Sequence, residues 1–203
     1  MSIEAAFLVQ EIAVKPDRAV HEAGHTLAAY VVGREVHLVQ LGPPSFMRCS
    51  SLETDTEYQD EMQIHLAGGI AEAVARGDAG GDVDSDWFAR VFHEGCLKDW
   101  NESDKLAFKL AHGDFEVAND FSKSAIHHCR RFMMEDGVRS AVAEIANALV
   151  AQSQLCESEI IAIISKWSVR RKISGHHSIQ TQMLRPTSPQ QGTAAQRPSA
   201  NER

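Results

Sequence analysis

The pattern of apolar and polar positions divides the chain into a helical body and a polar end. Residues 16–32 read as a helix, because Val20, Ala23, Leu27 and Val31 recur at three- and four-residue steps and form an apolar stripe. Pro16 fits its first turn, Asp17 its positive end, and Gly33 the position after its last turn. From Glu35 to Leu41 the period changes to two, with Val36, Leu38 and Gln40 alternating against His37, Val39 and Leu41. That alternation predicts a β-strand ended by Gly42-Pro43-Pro44, with a second short strand expected near Phe46 to Cys49. Thr54-Asp55-Thr56-Glu57 has the form of a capping box and predicts a helix as far as Ala75, broken by Gly77, Gly80 and Gly81. Asp84 or Ser85 can cap another helix reaching Glu94, and further helical patterns cover 103–111, 114–134, 138–152 and 157–167. No proline interrupts the stretch from Pro44 to Pro186, so nothing there forbids helix. After Ser168 the residues turn to Ser, Gln, Pro, Thr and Arg with few apolar side chains, which predicts a disordered tail. The expected fold class is mainly α, with a small β element after the first helix. The expected organisation is a lead segment at 1–15, one domain at 16–167 and a basic tail at 168–203.

Composition adds limits. With 203 residues, 43% of them hydrophobic, the chain can build one domain with a real core. No run approaches the roughly 20 apolar residues of a membrane helix. Met1 to Gln10 carries Glu4 and no basic n-region, so no secretory leader is expected and the expected location is the cytoplasm. The formal net charge of -8 argues against sequence-independent binding to nucleic acid. The charge is uneven, with 14 Lys/Arg against 27 Asp/Glu in residues 1–167. Beyond that point Arg170, Arg171, Lys172, Arg185, Arg197 and Arg203 face only Glu202. Cys49, Cys96, Cys129 and Cys156 form no C-x-x-C pair and are expected to be reduced thiols with structural roles.

One segment carries chemistry. His21-Glu22-Ala23-Gly24-His25 is an H-E-x-x-H motif inside the first helix. Residues four apart lie on one face, one turn apart, so both imidazoles can reach a single metal ion. Zinc accepts neutral imidazole nitrogens at roughly 2.0–2.1 Å in tetrahedral geometry. Glu22 sits about 100° round the helix from His21 and can take the proton of a metal-bound water whose pKa zinc has lowered. Gly24 costs about 1 kcal/mol relative to Ala within a helix, and a close approach of another backbone would explain it. A catalytic zinc site needs a third protein ligand and an open position. Candidates are His65, Glu72, Asp82, Asp84 and Asp86, and spacing alone leaves both Glu72 and Asp86 open.

Ala19-Val20-His21-Glu22-Ala23-Gly24-His25-Thr26-Leu27-Ala28 resembles the zinc-site helix of the FtsH-type ATP-dependent metalloproteases. Leu66-Ala67-Gly68-Gly69-Ile70-Ala71-Glu72 is similar to their Leu-Ala-Gly-Arg-x-Ala-Glu segment, and Ser85-Asp86 to their Asn-Asp segment. Ala143 to Leu149, with Leu155 and Glu159-Ile160, is similar to their C-terminal helices, so the resemblance covers residues 16–166. It implies a mainly helical zinc-peptidase domain with His21, His25 and Asp86 as ligands, Glu22 as general base and Glu72 as a helper behind the ligands. Gly69 and Ala73 replace the Arg and second Glu of the family segment, and the chain has no G-x-x-x-x-G-K-[ST] loop and no ATPase module of its own.

The expected activity is that of a zinc-dependent metalloendopeptidase acting on unfolded or flexible polypeptides. A separate ATPase and further copies of the chain are its candidate partners, with no nucleic acid and no membrane span. The alternative is a catalytically inactive metal-binding regulatory or scaffold protein with the same fold. A helical interaction protein in which the motif is coincidental is a third reading. Other residues have plainer expectations. Trp87, Trp100 and Trp167 are read as packing, His127-His128 as a solvated face, and His65 as a hydrogen-bonded helix residue.

Overall fold

The computed structural model describes residues 16–50, 57–78, 80–82, 85–92 and 96–169. Among them are seven helices and one three-stranded sheet, so the protein is mainly α with a small β element. In chain order these are α1 (Pro16–Val31), β1 (Val36–Gln40), β2 (Phe46–Cys49), α2 (Tyr58–Arg76) and α3 (Ser85–Val91). They are followed by α4 (Leu97–Leu110), α5 (Phe115–Met133), α6 (Asp136–Gln152), β3 (Gln154–Cys156) and α7 (Glu157–Ile164). No helix among the described residues is long and apolar enough to cross a membrane. The lead segment, residues 54–56 of the expected capping box and the basic tail from Arg170 lie outside the described residues.

Helix α1 is the centre of the fold. Residues 21–29 are buried on every side of it, with α2 and α6 as its main helical neighbours and the sheet beside it. A helix so enclosed has no polar outer face, so its polar residues His21, Glu22, His25 and Thr26 must find partners inside the protein. Gly24 lets α2 approach, since a Cβ there would stand 2.6 Å from the Ala67 carbonyl oxygen and 2.7 Å from the Ala71 Cβ. Gly33 and Gly77, with φ of 96° and 82°, follow α1 and α2 in the left-handed conformation that ends a helix.

The sheet has the order β2-β1-β3, and both neighbours run antiparallel to β1. Strict alternation does not hold in β1. Val36 and Val39 are the buried residues, because the register with β2 shifts between Val36 and Leu38. The three-residue β3 is an addition to the expected elements. Leu155 is its one buried residue, too little for a periodicity to register.

An aromatic cluster ties α3 to α4. Phe88 and Trp100 pack edge to face at 4.6 Å between ring centres, with Phe92 5.1 Å from Trp100 and 6.2 Å from Trp87. Trp87 is fully buried, in keeping with a core role. Gly69 admits this cluster to α2, since a Cβ there would lie 3.3 Å from both Phe92 and the Cys96 sulfur. The clamp on Trp100 also fixes the first turn of α4, which carries Asp99.

Candidate metal centre

His21 and His25 lie one turn apart on α1 and face α2 and the start of α4. Their Nε2 atoms are 2.9 Å apart. Asp99 on α4 places Oδ2 3.1 Å from His21 Nε2 and 3.5 Å from His25 Nε2. Gly68 of α2 forms the floor, because a Cβ there would sit 2.6 Å from His25 Nε2 and 2.8 Å from His21 Nε2. Only a residue without a side chain leaves room for both rings.

The far side of each ring is also fixed. His25 Nδ1 donates to the Ile64 carbonyl at 2.6 Å, and His21 Nδ1 donates to Glu72 Oε1 at 2.7 Å. Glu72 is buried, and its other oxygen accepts from Arg76 at 3.2 Å. With protons on both Nδ1 atoms, both Nε2 atoms present lone pairs. In neutral rings two lone pairs and a carboxylate oxygen converge on one point, and that arrangement repels itself unless a proton or a metal ion sits among them. Tetrahedral zinc with bonds of roughly 2.0–2.1 Å sets its ligand atoms about 3.3 Å apart, close to the three separations found here. The donor set fits zinc. A proton on Nε2 meets the same demand for positive charge. Burial alone would lower the pKa of His21, but its hydrogen bonds with Asp99, Cys96 and Glu72 outweigh that and push it up to about 11. Burial would raise the pKa of Asp99, yet the two histidines hold its carboxyl well below the usual range.

A second trio, His21, Glu72 and Cys96, is buried behind the first and shares His21. The Cys96 sulfur is 3.7 Å from His21 Nδ1 and 3.8 Å from Glu72 Oε1. These groups meet the ring at the nitrogen that carries the proton, so they are placed to orient the ring rather than to share a second ion.

Glu22 is almost fully buried and ion-paired, with Arg18 Nη2 3.0 Å from its Oε1. Thr26, one turn on, donates to the Glu22 backbone carbonyl at 2.7 Å. Asp86 stands apart from both trios. It is exposed in the first turn of α3, where Trp87 and Val91 take the buried face and turn it to solvent. Asp82 is exposed as well, and Asp84 lies outside the described residues.

Asp99 and Cys96 were not among the residues singled out by sequence. The helical pattern expected from 103 begins earlier, at Leu97, and its charged run Lys98-Asp99 hides the start. A signal is present nonetheless. Counting back from Leu106 in helical steps gives Ser103, Asp99 and Cys96, an acid on a stripe that is otherwise buried. His65 is half-buried on α2, its Nε2 3.9 Å from Glu61, and burial lowers its pKa. His127 and His128 are exposed.

Searched against models of known protein families, the chain matches none. No curated protein matches it either.

Proposed function

We propose that the chain is a zinc-dependent metalloendopeptidase of the FtsH-like type, in which His21, His25 and Asp99 hold the metal and Glu22 is the general base. The observation that carries this reading is the convergence of two Nε2 atoms and one carboxylate oxygen, with both Nδ1 atoms already committed to fixed acceptors. Bound there, zinc would supply a Lewis acid that polarises a substrate carbonyl and brings the pKa of a coordinated water toward about 7. The chain's own residues do the rest. Glu22 accepts the proton that water loses on attack and returns it to the departing amine. Arg18 keeps the Glu22 carboxylate in one position, and Glu72 and the Ile64 carbonyl hold the two rings in their ligating orientation. Asp99, at 23% exposure beside His21 at 1%, marks the side from which a substrate would reach the centre.

The substrates proposed are unfolded or flexible polypeptides, since an extended segment suits a centre whose His21, His25 and Asp99 side chains are only 1%, 10% and 23% exposed. A separate ATPase would extend the range to folded proteins, and assembly with further copies belongs to the same proposal. A cytoplasmic setting is proposed on the four free thiols, which suit a reducing compartment.

The second reading, a metal-binding regulatory or scaffold protein, is favoured by one observation: Arg18 occupies the carboxylate that must act as base. The experiment that separates the two measures zinc per chain and casein cleavage for wild type and Glu22→Gln. Cleavage by the wild type, lost in Glu22→Gln with one zinc retained, supports the peptidase. One zinc in both with no cleavage by either supports the regulatory protein.

A further inference from the structure

Helix α2 lays a row of residues along the metal centre at helical spacing: Glu72, Gly68, His65 and Glu61. Three points of contact fix how this helix meets the centre. Glu72 holds His21 Nδ1, Gly68 lies under both Nε2 atoms, and the carbonyl of Ile64 holds His25 Nδ1. The next side chain of the row beyond Gly68 is His65, the immediate neighbour of Ile64.

The row also runs from the inside to the outside of the protein. Glu72 is 5% exposed, whereas His65 and Glu61 are 26% and 25% exposed, matching Asp99 at 23%. His65 and Asp99 thus belong to the half-open end of the centre, on two different helices. The charges acting on His65 come from Glu61 on its own helix, His25 on α1, and Asp99 and Glu102 on α4. Burial favours its neutral form. A neutral imidazole offers one donor and one acceptor, the complement of a peptide backbone. The structural work on this face is already done by Ile64, Gly68 and Glu72, and the Glu61 contact at 3.9 Å is too long for a hydrogen bond.

We infer that His65 is a substrate-positioning residue that hydrogen-bonds the backbone of an extended peptide at the open end of the metal centre. The inference rests on the metallopeptidase reading and adds a residue to it that neither holds the metal nor moves the reacting proton. Losing one such hydrogen bond weakens substrate binding about tenfold.

The test uses the full chain loaded with zinc, an unstructured fluorescent peptide as substrate, and the variants His65→Ala and His65→Gln. His65→Ala is expected to raise KM about tenfold with kcat within about twofold of wild type, while zinc per chain is unchanged. Gln keeps both a donor and an acceptor and is expected to restore most of the affinity. A parallel readout is peptide binding to the zinc-loaded Glu22→Gln protein, expected to weaken about tenfold when His65→Ala is added. A wild-type KM and wild-type binding in His65→Ala would overturn the inference and leave the peptidase standing. Loss of zinc in His65→Ala would overturn it too, by moving the residue into support of the ligands. Wild-type protein that holds zinc but neither cleaves nor binds the peptide would overturn the metallopeptidase reading itself, and this role with it.

Discussion

His21 donates its Nδ1 proton to Glu72 across 2.7 Å inside the protein, where both groups are buried. That bond decides which nitrogen of His21 faces Asp99 and His25. A carboxylate behind a ligating imidazole also raises its basicity, and losing such a partner costs about 10–100-fold in metal affinity. Glu72→Gln keeps an acceptor of the same shape and removes the charge. Zinc affinity is expected to fall by about tenfold, measured by competition with a chelator, with the helical circular dichroism unchanged. An unaltered affinity would mean that Glu72 only fills space.

Asp99 and Asp86 provide the sharpest comparison for the third ligand. Asp99 reaches both Nε2 atoms, whereas Asp86 is exposed on α3 and belongs to neither trio. Asp99→Asn should reduce zinc to well under one per chain after dialysis, and Asp86→Asn should leave it at one. The reverse pattern, read by elemental analysis, would return the ligand to α3.

The contrast between these two aspartates indicates what a sequence can disclose. His21, Glu22 and His25 are readable because one helix fixes their spacing, whereas spacing leaves Glu72 open and only the resemblance of the segment from Leu66 to Glu72 gives it a role behind the ligands. Gly24 is readable as a close approach, and the contact with Ala67 and Ala71 supplies its cause. Asp99 comes from a third helix, and its place depends on how Trp100 seats among Phe88 and Phe92. Helical steps back from Leu106 put Asp99 on the inward stripe, but no spacing rule says which side chains it meets there. The same limit applies to β1, where the bulge between Val36 and Leu38 breaks the alternation, and to β3, whose pairing with β1 is a tertiary event.

Two glycines of the α1–α2 contact should respond differently to the same substitution. In Gly24→Ala the new Cβ meets the Ala67 carbonyl oxygen at 2.6 Å, a backbone atom that moves only with its helix. The cost should be about 1–3 kcal/mol of global stability, seen as a lowered Tm. In Gly68→Ala the new Cβ meets His25 Nε2 at 2.6 Å and His21 Nε2 at 2.8 Å, so the rings are driven from their positions. Zinc binding should be lost, and the Tm measured without metal should fall less than in Gly24→Ala. Equal losses of metal-free stability with zinc retained by Gly68→Ala would contradict the placement of the two imidazoles.

Cys129 gives the protein a calculable alkaline sensitivity. Its thiol is buried on α5, donates to the Gln63 carbonyl at 3.9 Å, and burial pushes it from an ordinary 9.0 up to about 12. Between those two values the unfolded chain has lost the proton while the folded protein keeps it. The unfolded state then binds fewer protons, so stability falls as pH rises from 9 toward 12, by up to about 1.4 kcal/mol per pH unit from this group. Below pH 9 both states hold the proton and the contribution is constant. Cys129→Ala removes the titrating group and leaves a small cavity, so it should be less stable than wild type at pH 8. As pH rises above 9 the two denaturant-derived stabilities should converge, since only the wild type carries this slope. Parallel curves across that range would place the Cys129 thiol in contact with solvent.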